Sequence, residues 1–375
     1  MSGVIPDDYQ RDLSIIRSFA RINYRKLMRN WKIRTQRELF VLQDEYNERL
    51  FRSYADMSDQ SRDIAPCGIF TFDGMWSIGR DGLIADVENA NVFLGHSVNW
   101  SRDYFNWWLE NSGVGFERWD GPDAFWADFG SPEREDNDVV LMKSPGYGIF
   151  GHWILDFVPQ LYLGRFADIP SGTRYVFDHL TDWMNVLLEA VQIGSADAYA
   201  LKAVSHSRLF RLSGVKCGFA MAQPINSLAW DHLRAHFNHL NCTKAAIDAD
   251  CVFVSRRNWQ GDRKLSEYEA LEEGMRSLGF TILHPEKLDL AGQAHHFADA
   301  KVIIGEDGSA LHSIMLTNPG AVLGVLMLPD RLNLWHAGIC EAAGHRLAYH
   351  PLPGDSLSPE AVADILAFAS RLKEA

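Results

Sequence analysis

Residues 251–326 read CVFVSRRNWQGDRKLSEYEALEEGMRSLGFTILHPEKLDLAGQAHHFADAKVIIGEDGSALHSIMLTNPGAVLGVL, a stretch in which short apolar runs alternate with helix-like ones. Cys251 to Val254 has the uninterrupted apolar character of a buried strand. After a polar loop, Ser266 with Glu269 forms a capping box. Tyr268, Leu271, Met275 and Leu278 then recur at helical spacing until Gly279 supplies a stop. Phe280 to Leu283 predicts a second strand, and Asp289 caps a second helix ending near Ala300. Val302 to Ile304 predicts a third strand running into Gly305-Glu306-Asp307-Gly308-Ser309, with a third helix from about Ala310. Asn318-Pro319-Gly320 closes that helix, and Val322 to Leu326 is a fourth strand. Strand–helix alternation of this kind specifies a parallel, doubly wound α/β sheet.

Working outward, Val139 to Met142 and Tyr175 to Phe177 are strand candidates around a helix from about His152 to Tyr162, a second α/β unit. Gln223-Pro224-Ile225-Asn226-Ser227 breaks the pattern between the two units, just before a helix carrying Trp230, Leu233 and Phe237. Ser358-Pro359-Glu360 starts a terminal helix with Val362, Ile365, Leu366 and Ala369 on one face. A length of 375 residues suits two cores. The expected division is 1–60, an N-terminal basic amphipathic helical segment; 61–223, an α/β domain; 224–350, a Rossmann-like domain; and 351–375, a linker and helix.

The net charge of −13 argues against a nucleic-acid partner, since neutralising phosphates needs clustered Lys and Arg. Residues 11–37 are the exception, with Arg17, Arg21, Arg25, Lys26, Arg29, Lys32 and Arg34 interleaved among apolar residues. Read as an amphipathic helix, this segment suits peripheral contact with an anionic membrane surface or an acidic glycan, or simply packs on the protein with a solvated basic face. Five scattered cysteines with no CxxC spacing fit a reducing compartment and offer no zinc site. The N-terminus lacks signal-peptide character and no run of 18 apolar residues occurs, so a cytoplasmic location is expected.

In an open parallel sheet, ligands bind beyond the carboxyl ends of the strands. Two loops there stand out. Ser255-Arg256-Arg257 follows the first strand, with Arg263 and Lys264 further along, and four cations suit a nucleotide diphosphate that Arg binds in bidentate fashion. The competing interpretation is a solvated basic loop. Gly305-Glu306-Asp307-Gly308-Ser309 precedes a helix whose free amides can cradle a pyrophosphate, or it is an acidic turn with an ordinary cap.

In Gly151-His152-Trp153-Ile154-Leu155-Asp156-Phe157-Val158-Pro159, His152 and Asp156 stand one helical turn apart. A carboxylate so placed orients an imidazole and raises its basicity, which suits removal of a proton from an acceptor hydroxyl. Trp153 is placed to stack on a sugar. A structural i,i+4 contact is the plainer alternative. Asp136-Asn137-Asp138 and Asp248-Ala249-Asp250 precede strands and so would sit away from the ligand edge, and no metal is expected. The absence of a P-loop, HExxH or GxSxG removes the usual support for kinase, zinc protease and serine hydrolase functions.

Taken in order, these constellations resemble glycosyltransferase family 61 over roughly 145–325. Gly148 to Pro159 is similar to the family's N-Y-G-H-W-L-L-D-x-L-P; Val254 to Arg257, Arg263 and Ser266 to Glu269 resemble its S-R and R-R-x-x-N-E-x-E. Gln293, Phe297, Ala298, Ala300 and Val302 to Gly305, followed by Gly308, Leu311 and Asn318-Pro319-Gly320, are similar to Q-x-x-x-F-x-x-A and G-P-H-G-x-G-L with its later P-G. The family's Pro-His before the glycine is Glu306-Asp307 here, and its Thr-Asn is His312-Ser313.

The resemblance implies an inverting, metal-independent GT-B enzyme, with two Rossmann-like domains of parallel sheet facing a cleft. The donor would be a nucleotide sugar, expected as a UDP-sugar, with no other cofactor, and the acceptor a glycan or lipid-linked glycan. Arg256, Arg257, Arg263 and Lys264 would neutralise the diphosphate, with help from the loop of Glu306, Asp307, Gly308 and Ser309. His152, Asp156 and Trp153 would face the acceptor. A nucleotide-sugar epimerase or hydrolase, or a degenerate binding subunit, remains a rival because a diphosphate cradle does not specify the fate of the sugar carbon.

Overall fold

The structure, a computed structural model, describes residues 22–28, 37–60, 67–79, 82–86, 91–93, 115–118, 125–128, 133–143, 146–193, 196–198, 204–213, 224–241, 249–259, 265, 268–328 and 333–375. The chain divides into two compact units. The first comprises Met1–Asn30, Asp63–Gly148 and Gln160–Val215; the second comprises Trp31–Arg62, Ile149–Pro159 and Lys216–Ala375. Each unit is therefore assembled from separated segments, where contiguous domains were expected.

The first unit contains a six-stranded sheet in the order Ile22–Met28, Cys67–Asp73, Arg208–Ser213, Val139–Leu141, Arg174–Phe177, Ala196–Ala198. Its last four strands pair in parallel. Its first two join antiparallel, so this sheet is mixed where a purely parallel one was expected. Ile22–Met28 also corrects the helix expected within 11–37. The antiparallel partner Cys67–Asp73 supplies a backbone ladder that overrides the helical spacing of the apolar residues. Residues 11–21 and 29–36 lie outside the described residues.

The second unit carries a five-stranded, wholly parallel sheet, its strands numbered within it: β1 (Cys251–Val254), β2 (Thr281–Leu283), β3 (Val302–Glu306), β4 (Val322–Met327) and β5 (Arg346–Pro351). The order is β2-β1-β3-β4-β5. Every residue of β1, β3 and β4 is buried, as a sheet covered on both faces requires. The chain reverses its direction of winding between β1 and β3, so the loops after those two strands flank the switch point where such sheets bind ligands.

Helices α1 (Glu45–Gln60), α2 (Pro224–Asn241), α3 (Tyr268–Ser277), α4 (Leu290–Phe297), α5 (Trp335–Ala343) and α6 (Pro359–Glu374) belong to this unit. Asp289 accepts the Gly292 amide at 2.6 Å and caps α4, and Ser358 accepts from Ala361 to cap α6, with Pro359 inside the first turn. Leu271, Met275, Ile365, Phe368 and Leu372 bury one face of the sheet with Phe253, Ile304 and Leu326. Fully burying each such side chain stabilises the unit by about 1.5–3 kcal/mol. On the edge strand, the Asn47 amide donates to Tyr349 O at 3.0 Å and accepts from Tyr349 N at 2.8 Å, so a side chain from α1 closes part of an open ladder.

The third expected helix is a 3₁₀ helix, Ser309–Leu316, rather than an α-helix. Leu311 N bonds Gly308 O at 3.0 Å and Thr317 N bonds Ile314 O at 2.9 Å, the tighter i to i+3 closure at both ends. Arg234 of α2 then donates to Thr317 O and Met315 O, satisfying carbonyls that the helix leaves open.

Candidate active site

Arg256, Glu306, Asp307, Gly308 and Ser309 all lie at or just beyond the carboxyl ends of β1 and β3. Arg256 Nη1 donates to Asp307 O at 3.1 Å, and its guanidinium lies 5.6 Å from the centroid of Trp259. A Cβ placed on Gly308 would sit 3.1 Å from the same Nη1, so a larger residue there would crowd the cation. Arg257, one residue on, turns elsewhere: it pairs with Glu269 and lies 3.6 Å from Glu272. Arg263 and Lys264 lie outside the described residues. Of the two expected cations among the described residues, Arg256 is the one the structure brings to the glycine loop.

Beneath this loop, Ser255 donates to Glu272 Oε1 at 2.7 Å and also accepts the Arg257 amide at 3.2 Å. Both Ser255 and Glu272 are buried, so the β1 loop is tied to α3 from below.

The two acidic residues of the second loop are buried rather than aimed at solvent. Burial raises the Glu306 carboxyl from 4.5 to about 7, against the opposing pull of Arg256 and of the Leu265 amide, which donates at 3.3 Å. At neutral pH its negative charge is thus partly suppressed. Asp307 Oδ1 accepts from Asn333 Nδ2 at 2.8 Å, and His336 Nε2 lies 2.9 Å from it. Since a carboxylate only accepts, Nε2 of His336 carries the proton.

The segment of His152 reaches the same place. Phe150–His152 is a short α-turn that opens into a π-helical turn, Trp153–Phe157, before the helix Val158–Leu163. A π turn shifts backbone carbonyls out of register, and α2 meets two of them: Trp230 Nε1 donates to Ile154 O at 2.9 Å and Asn226 Nδ2 to Leu155 O at 2.8 Å. Held this way, His152 Nδ1 lies 2.8 Å from Asp156 Oδ2, leaving Nε2 as the basic nitrogen. Both side chains are about one-fifth exposed, open enough to meet a ligand.

Gly151 lies against the 3₁₀ helix so closely that a Cβ would meet His312 Nδ1 at 2.6 Å and Ser309 Oγ at 2.8 Å. A run of contacts joins the His152 segment to the arginine loop. The His152 ring stands perpendicular to Trp335 at 5.5 Å; Trp335 stacks beside His312 at 6.4 Å; His312 lies edge-on to His336 at 5.3 Å. His336 then holds Asp307, whose carbonyl holds Arg256. Burial, reinforced by the neighbouring His336 and His152, pushes His312 down to about 3 and keeps it neutral.

Trp153 corrects one expectation. It is fully buried and stacks on Phe157 at 5.2 Å, so no face is open to a sugar. Trp335, His336 and Asn333 were missed by sequence reasoning. Their signal was their place just after β4, another carboxyl-end loop. Among the described residues, no group of three or more His, Cys, Asp or Glu is arranged to hold a metal ion, and no helix is long and apolar enough to cross a membrane.

Residues 150–324, which contain all the contacts above except those of Asn333, Trp335 and His336, match the family model described as Glycosyltransferase 61. Among solved structures, E. coli heptosyltransferase WaaC with ADP is similar at 11% identity and a TM-score of 0.32, over 63% of this chain and 99% of that one. No curated protein matches the chain.

Proposed function

We propose, from the glycosyltransferase family 61 membership that the match over residues 150–324 supports, that this glycosyltransferase moves a sugar from a nucleotide diphosphate to a glycan hydroxyl with inversion. The observation that carries the reading is the contact run from His152 to Arg256, which puts a carboxylate-oriented imidazole and a glycine-loop cation within one unit.

In this mechanism His152 Nε2 takes the proton of the acceptor hydroxyl while that oxygen bonds to the anomeric carbon from the face opposite the leaving group. The bond from the anomeric carbon to the diphosphate oxygen breaks, and its electron pair goes to the departing diphosphate. Arg256 and the amides that open the 3₁₀ helix after Gly308 stabilise that charge without a metal ion. Asp156 holds His152 in the productive tautomer and steadies the imidazolium that forms.

Arg263 and Lys264, further along the same loop, are assigned to the diphosphate as well, a UDP-sugar being the first donor to try. The acceptor is a growing polysaccharide or lipid-linked glycan, made in the cytoplasm, with the basic residues of 11–37 available to an anionic membrane face. Incubating the protein with UDP-, GDP- and CMP-sugars and a glycan acceptor tests the proposal. A lengthened glycan of inverted anomeric configuration plus free nucleotide is the expected result. A changed or hydrolysed sugar with no glycan product overturns it.

A further inference from the structure

Asp307 occupies the position where the resembled motif carries an imidazole, yet an imidazole is present there all the same, delivered from the first turn of α5 by His336. Two donors, His336 Nε2 and Asn333 Nδ2, converge on one carboxylate oxygen of Asp307, and His336 is fully buried. The Asp307 backbone is fixed as well, its amide donating to Leu326 O at 2.9 Å. The carbonyl of the same residue receives Arg256, and the next residue, Gly308, is the glycine pressed against the guanidinium.

We propose that His336 is a positioning residue for the diphosphate site: by engaging the Asp307 carboxylate it aims the Asp307 carbonyl at Arg256 and keeps that guanidinium free to face the ligand. This rests on the reading of Arg256 as a diphosphate ligand given above. The physical reason is competition. A buried carboxylate must be hydrogen-bonded. With the His336 and Asn333 donors gone, Arg256, already 3.1 Å from its carbonyl, is a cation within reach of the Asp307 carboxylate, and a guanidinium drawn into a carboxylate pair is withdrawn from the anion. Arg256 also feels Glu306, whose burial suppresses the charge that would otherwise compete for it. Both acidic residues are thereby managed so that the loop can receive an anion despite carrying them.

The test is binding of UDP, and of inorganic pyrophosphate as a base-free probe, by calorimetry on the full chain, with donor KM and kcat measured alongside. His336→Phe keeps a ring of similar size but no donor, and it is expected to weaken UDP about tenfold and to raise donor KM more than it lowers kcat. His336→Gln, which carries an amide nitrogen near the position of Nε2, is expected to recover binding to within about threefold of the parent. Asn333→Ala, at a partly exposed position, removes the second donor and is expected to weaken UDP by about threefold even if His336→Phe fails to fold.

The positioning role is overturned if folded His336→Phe, or Asn333→Ala in its stead, binds UDP as the parent does while Arg256→Ala loses it. Equal loss in His336→Phe and His336→Gln also overturns it, since that marks a packing effect. If the parent binds neither probe, or Arg256→Ala binds both unchanged, the reading of Arg256 itself is wrong.

Discussion

Gly151 and His312 approach so closely that a single added Cβ would lie 2.6 Å from the imidazole Nδ1. The neighbour is a ring buried in its own cluster rather than the far end of a flexible chain, so it has little room to yield. Gly151→Ala is therefore expected to push the His152 turn off the 3₁₀ helix, costing about 1–3 kcal/mol of stability. Thermal unfolding reports that loss, and kcat should fall by more than the loss of folded protein accounts for, because His152 moves with its neighbour.

Asp156 acts on the acceptor side in this scheme. Asp156→Asn is expected to lower kcat by roughly 10²–10⁴-fold, the range of general acid–base catalysis, with donor affinity nearly unchanged. Steady-state rates beside nucleotide titration separate the two effects, and equal losses in both would count against the role.

At Arg256, the planar fork reaches the Asp307 carbonyl while lying against Trp259, and under the proposed function it meets the diphosphate as well. An ammonium is a point charge and cannot meet both. Arg256→Lys should thus raise donor KM by about tenfold or more despite keeping the charge, the equivalent of losing one charge-assisted hydrogen bond.

Glu306 gives the pH dependence. Its folded pKa, about 7, stands above its unfolded value of 4.5, so the folded protein retains a proton that the unfolded chain releases. The stability this confers is complete below pH 4.5 and is lost as pH rises through 7, a change approaching about 3 kcal/mol. Glu306→Gln should flatten stability across that window and make the variant the more stable of the two at about pH 8. Chemical denaturation at several pH values checks it, and an unchanged slope would rule Glu306 out as the source.

Trp153 offers a control on the acceptor side. Because it is buried against Phe157, Trp153→Ala should cost about 3–5 kcal/mol of stability, the range for a large aromatic removed from a core. A folded variant with normal stability and a selective loss of acceptor affinity would show the ring exposed to substrate after all.

The sequence by itself determined four of the five strands in the sheet of the second unit, β5 (Arg346–Pro351) being the one it did not show. β1 to β4 are short apolar runs divided by Asp289, Gly279 and Asn318-Pro319-Gly320, signals that act within a few residues and need no distant partner. It also placed Arg256, Gly308, His152 and Asp156 on the elements they occupy. Tertiary structure decided the rest, because burial and pairing are set by residues far away in the chain. Ile22–Met28 carries helix-compatible spacing but becomes a strand once Cys67–Asp73 offers a ladder. Trp153, beside a candidate base and well suited to a sugar, is turned inward by packing on Phe157. Glu306 and Asp307, acidic where an anion is expected, lose that conflict only because burial suppresses one charge and His336, 29 residues downstream of Asp307, engages the other.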